Sequence, residues 1–191
     1  MDTARVIVAI GTEAANAKVK SFLAENGYLV VDTAEECNEC LRKLSLYRPD
    51  FLVLDSSLPK LGGYEVAKVA LEDGSCDVIM ISSKAQEEIG FEMRDSSRFS
   101  FLIKPINKML LINTLELMKR SGKRIKELEQ EVEHLKSAID SRKEVDKAKH
   151  LLMQHLNMGE AEAFKRIQKQ SMDKGISMKE IAKAIILAYD I

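Results

Sequence analysis

Three polar side chains stand at the ends of short apolar runs in the first part of this chain. Asp55 closes FLVLD (51–55), Ser82 closes VIMIS (78–82), and Lys104 follows FSFLI (99–103). Short, continuous apolar runs are strands covered on both faces, and ligands of such sheets bind outside the carboxyl ends of the strands. A carboxylate, a hydroxyl and an ammonium are therefore expected on one rim. A second group is cationic: Arg142, Lys143, Lys147 and Lys149, followed by Lys165, Arg166 and Lys169. Such side chains meet the phosphates of a nucleic acid. The third is the CxxC of Cys37 and Cys40, a pattern used by redox pairs and by halves of zinc sites. No second CxxC or nearby His pair completes a zinc set. AEECNECLRKL reads as a helix, so two reduced thiols are expected there, and Cys76 stands alone before a strand. No catalytic His, Cys or Ser constellation is present, and the chain reads as a non-enzyme.

The elements that must position these groups alternate. RVIVAI (5–10) and YLVV (28–31) are two more strands, making five with those that lead to Asp55, Ser82 and Lys104. Between and after them the spacing predicts helices over 14–26, 34–47, 63–72, 86–94 and 106–120. Val19, Phe22 and Leu23 face inward on the first, Leu41 and Leu44 on the second. Strands alternating with helices imply a parallel sheet wound on both sides.

From about residue 110 the period changes. Ile125, Leu128, Val132, Leu135 and Ile139 recur at alternating spacings of three and four, with charged residues between them. This is the seam of a coiled coil about two heptads long. A helix over 108–156 would reach some 70 Å at about 1.5 Å per residue, which favours dimerisation, with Ser121-Gly122 as the expected place for a kink or break. Two shorter helices follow. Gly159 opens the first, with Ala163, Phe164, Ile167 and Ser171 inward, and Gly175 ends it. Ser177 and Glu180 form a capping box for the second, where Ile181, Ile185 and Ala188 align. Ala148, Ala163, Phe164, Met172 and Ile185 read as the core of a three-helix bundle, and Tyr189 as packing at a helix end.

The formal net charge of −1 hides an asymmetry: −5 over residues 1–118 and +4 over 119–191. Nucleic-acid contact is expected in the second part. No apolar run approaches the roughly 20 residues that span a bilayer, and MDTARVIVAIG does not resemble a signal peptide. A cytoplasmic location without membrane partners is expected.

Residues 1–118 resemble a response-regulator receiver domain. The resemblance rests on Asp55, the SSLP that follows with Pro59, Gly63, Ser82, Phe101 and Lys104-Pro105. It implies a CheY-like fold in which Asp55 is the phosphoacceptor, Ser82 and Lys104 contact the phosphoryl oxygens, and Phe101 is the switch aromatic. It also implies Mg²⁺ when Asp55 is phosphorylated, because the charge of nucleophile and phosphoryl group must be offset. Receivers hold that ion with an acidic pair after the first strand. Here Ile10 and Gly11 stand in its place, Thr12 is next, and Glu13 would have to reach back from the helix. No metal and no other cofactor are therefore expected, and the domain reads as a degenerate receiver, a scaffold and contact surface. Ser57 could still offer a backbone carbonyl.

Residues from about 124 to 186 resemble the ANTAR module of bacterial antiterminators. SRKEVDKAKHLLM (141–153), GEAEAF (159–164), QSMDKG (170–175) and EIAKAII (180–186) carry the match. His150 departs from it where a small residue is usual, and Gly159 replaces a hydroxyl cap. The resemblance implies binding to RNA hairpins that compete with a terminator, with Arg142, Lys143, Lys147, Lys149, His150, Lys165, Arg166 and Lys169 as candidate contacts. The whole reads as α/β, a five-stranded parallel doubly wound receiver (1–118), a coiled-coil linker helix (119–140) and a small three-helix ANTAR bundle (141–191). The expected function is a homodimeric RNA-binding antiterminator, with a sensor kinase or another regulatory protein upstream. Two other readings stand beside it. A phosphorylation-controlled DNA-binding regulator would need a basic recognition helix, and a coiled-coil adaptor would touch no nucleic acid.

Overall fold

A computed structural model describes residues 3–83, 93 and 95–189. The chain divides into two compact units, residues 1–125 and 126–191.

In the first unit, five strands form one parallel sheet: β1 (Arg5–Ala9), β2 (Leu29–Ala34), β3 (Phe51–Asp55), β4 (Asp77–Ser82) and β5 (Phe99–Ile103). Their order is β2-β1-β3-β4-β5, so the winding reverses between β1 and β3. Strand period two sends alternate side chains to opposite faces. Ile7, Ala9, Leu52 and Leu54 pack on one face against α2 (Cys37–Tyr47) and α3 (Gly63–Glu72). Val6, Val8, Phe51 and Val53 pack on the other against α1 (Glu13–Glu25) and the start of α4 (Lys108–Leu156). Leu23, Leu111 and Leu115 there are wholly buried, and truncating any one to Ala would cost about 2–5 kcal/mol.

Several expectations differ from the observed elements, most of them by one residue at an end. Residues 34–36 are not helical: β2 runs on through Ala34, which pairs with Ala9, and α2 starts at Cys37. The last helix of the first unit begins at Lys108, two residues after the expected 106. No break occurs at Ser121-Gly122, because α4 is continuous from Lys108 to Leu156. A helical glycine costs only about 1 kcal/mol relative to Ala, too little to interrupt a run of strong helix formers. The helix expected at 86–94 falls almost entirely outside the described residues.

In the second unit, the end of α4 packs with α5 (Glu160–Lys174) and α6 (Met178–Tyr189). The core is small: Ala148, Leu152, Ala163, Ile167, Ile181 and Ala182. Gly175, at φ 65°, ends α5 in the left-handed conformation, which glycine adopts without steric cost. The capping box forms as expected, with the Glu180 amide donating to Ser177 Oγ (3.2 Å) and the Ser177 amide to Glu180 Oε2 (2.9 Å). Phe164 and Met172 are corrections, being exposed rather than core. Ala163 and Ile167 fill the inward stripe, Phe164 is turned about 100° from Ala163, and Met172 lies about half a turn round the helix from it. Ala188 is also exposed, since Tyr189 takes the inner place at the end of α6 and stacks on His155 with ring centroids 4.8 Å apart.

Candidate functional site

Asp55 continues the alternation of Phe51 and Val53, so its side chain belongs to the face of α1 and α4. It is 5% exposed. Lys104, 49 residues away, donates to its Oδ2 at 2.6 Å. The amide and hydroxyl of Ser57 donate to Oδ1 at 2.9 and 2.7 Å. Burial pushes the carboxyl pKa up, but these three bonds and the Lys104 charge outweigh it and hold the group below the ordinary carboxylate range. Gly63 lets α3 start against this strand end. A Cβ there would lie 2.2 Å from the Asp55 carbonyl oxygen.

Ser82 is buried at the end of β4, and its carbonyl accepts from the Lys104 amide at 2.8 Å. The strand ends thus bring Asp55, Ser82 and Lys104 to one rim, as their spacing implied. Phe101 is half-buried and packs on the opposite core face, with α2 and α3.

The loop after β1 shows what stands where receivers keep their acids. Ile10 is buried. Its amide donates to Asn16 Oδ1 (3.0 Å), and Asn16 Nδ2 donates to the carbonyls of Ile10 (2.8 Å) and Ala34 (3.1 Å). Asn16 is 2% exposed and clamps this loop to β2. Sequence reasoning passed over it, although its place on the α1 face of Val19 and Leu23 marks a polar residue turned inward. A Cβ on Gly11 would come 3.3 Å from Pro59, so a side chain is crowded there. Glu13 is exposed on α1.

Asp55, Ser57 and Lys104 line an open cavity of about 650 Å³ together with residues of α1 and the start of α4. Asp55 is its sole carboxylate among the described residues, and both its oxygens already accept bonds. No cluster of three His, Cys, Asp or Glu suited to a metal occurs among the described residues. The family's Mg²⁺ needs several hard oxygen ligands, and among the described residues this cavity offers one carboxylate, that of Asp55. The cysteines lie elsewhere, all three free and buried. Burial pushes the Cys40 thiol up to about 12 and Cys76 to about 11, which removes thiolate reactivity.

In the second unit, Arg142, Lys143, Lys147 and His150 are exposed near the end of α4, and Lys165, Arg166 and Lys169 on α5. Lys149 differs: its side chain is 15% exposed and pairs with Asp146 (2.8 Å) and Glu160 (2.7 Å). Phe164, beside Lys165, adds an exposed aromatic ring that the expectation of a buried phenylalanine had hidden. No helix among the described residues is long and apolar enough to cross a membrane.

A five-stranded parallel sheet with Asp55, Ser82 and Lys104 on one rim, followed by a three-helix unit, defines a receiver-containing regulator. Comparison with known proteins agrees. Residues 7–116 match the family model of the response regulator receiver domain, and residues 133–186 that of the ANTAR domain. The chain belongs to the response regulators that carry an ANTAR domain, a family of RNA-binding antitermination regulators rather than enzymes. It is 29% identical to the transcriptional regulatory protein PdtaR of Mycobacterium tuberculosis over 95% of this chain and 89% of that protein. The chemotaxis protein CheY of Listeria monocytogenes is 27% identical over 51% of this chain and 83% of its own. A signal receiver domain from Desulfovibrio desulfuricans superimposes with a TM-score of 0.55 at 24% identity, over 64% of this chain and 98% of that domain. That likeness concerns the fold alone.

Proposed function

We propose that this protein is a dimeric antiterminator that binds hairpins in nascent mRNA leaders, governed by a receiver that does not use ordinary aspartyl phosphorylation. One observation carries the RNA reading. The second unit satisfies its apolar core internally, yet leaves Arg142, Lys143, His150, Lys165, Arg166 and Lys169 exposed. Phosphate neutralisation supplies affinity, and unstacked loop bases need an aromatic or guanidinium surface such as Phe164 and Arg166 offer. Dimerisation is supported by the α4 seam, where Ile125, Leu128, Val132, Leu135 and Ile139 are 37–55% exposed in the single chain. A second copy would cover them and place two modules on paired loops, gaining avidity. A sensor kinase or other regulatory protein is the upstream partner, and the cytoplasm, where transcripts are made, the place of action.

Binding to a hairpin RNA and to duplex DNA at matched salt tests this reading. Tighter binding to the hairpin is expected; preference for duplex DNA, or no binding to either, would sink it. The receiver claim has its own test, incubation with acetyl phosphate and Mg²⁺. Little acid-labile phosphate is expected on Asp55, and stoichiometric labelling would restore the standard switch.

A further inference from the structure

The cavity beside Asp55 lies at the reversal between β1 and β3, where open α/β sheets bind ligands. Its volume of about 650 Å³ falls in the range of small-molecule sites, roughly 300–1,000 Å³. Ile10, Val19, Phe22, Ile106 and Leu111 make most of its wall apolar. Among the described residues, Lys18, Lys104 and Lys108 are its cations and Asp55 its one anion. Lys104 is already bound to Asp55. Lys108 stands 5.2 Å from the centre of the Phe22 ring. Neither Lys18 nor Lys108 has a carboxylate partner among the described residues. Among the described residues the surplus is thus two positive charges around an apolar hollow.

We propose that this cavity binds a small organic acid, an apolar ring or branched chain carrying one carboxylate, as an input to the receiver. The apolar body would lie against Phe22, Val19 and Leu111, and the carboxylate between the ammonium groups of Lys18 and Lys108. A phosphate dianion fits the same place poorly. The backbone amides of Ile10 and Ser57 already donate to Asn16 and Asp55, so neither is open to cradle a phosphate. The Asp55 carboxylate also repels a second negative charge more than a first. The inference shares the receiver rim with the reading above but not its RNA claim, so the two fail separately.

Titration calorimetry on the full chain tests it, using benzoate, phenylacetate, indole-3-acetate and 4-methylpentanoate, each beside its neutral amide. At least one acid is expected to bind once per chain, and its amide about tenfold more weakly. Lys18→Gln with Lys108→Gln should weaken the acid about five- to tenfold, as the loss of exposed charge pairs does. Ala15→Phe, which projects a ring from α1 into the hollow, should abolish binding. Melting of each ligand-free variant shows that it folds, and the lysine pair keeps the test open if Ala15→Phe does not. Absence of binding by every acid at millimolar concentration overturns the proposal. Equal affinity for acids and amides does so too, as does unchanged binding in the Ala15→Phe or the lysine variant.

Discussion

Lys104–Asp55 and Lys149–Glu160 are both lysine–carboxylate pairs, 2.6 and 2.7 Å long, but their settings are opposite. The first joins a 7% exposed carboxylate to the rim of a cavity, while the second links a covered lysine to a carboxylate 69% exposed. In the first unit polar groups are turned inward and answered by one another: Asp55 by Lys104 and Ser57, Ile10 by Asn16. In the second, the core is apolar and complete, and the cations face out. A buried, self-satisfied pair is screened little by salt, whereas an exposed cationic surface is screened strongly.

The sharpest contrast between the units is steric. Gly63→Ala should destabilise the first by about 3 kcal/mol, since its Cβ must displace the end of β3. Gly159→Ala meets nothing within 4 Å, and its cost should be that of a lost N-cap, about 1 kcal/mol at most. Chemical denaturation of both variants measures the difference, and equal losses would break the comparison. Next in size is the seam. Leu128→Asp with Leu135→Asp should give monomers by sedimentation and lower hairpin affinity about a hundredfold through lost avidity, leaving the first unit's melting unchanged.

Smaller effects divide the cations. Lys165→Gln with Arg166→Gln should weaken hairpin binding about tenfold and lower the slope of log affinity against log salt by about two. Lys149→Gln should change that slope less, because its ammonium is engaged by Asp146 and Glu160. An equal change would place Lys149 on the RNA.

The smallest effect is acid sensitivity. The folded pKa of Asp55 is lowered, so its stabilisation is full above the unfolded value, about 3.9, and fades as pH falls through the folded one. Stability of the wild type should therefore fall with pH below about 4 more steeply than that of Asp55→Asn. Asp146 is also lowered, by its bond from Lys149, but it is exposed, so added salt should erase its share and leave that of Asp55. Identical acid profiles for wild type and Asp55→Asn would remove the distinction.

Much of this molecule is legible in its sequence. β3, α3, β5 and the end of α4 fall where period and punctuation place them, because burial pattern and turn residues are local signals. Ser177 and Glu180 find each other three residues apart, and Gly175 ends its helix, for the same reason. Asp55, Ser82 and Lys104 were legible because strand ends of a parallel sheet share an edge. The tertiary structure alone decided that Asn16 clamps the loop of Ile10, that a cavity opens beside Asp55, that Lys149 is engaged and that Phe164 faces outward. Each depends on which groups packing brings together across many residues. Periodicity tells a side chain which way to face, and only the packed neighbours determine what it meets there.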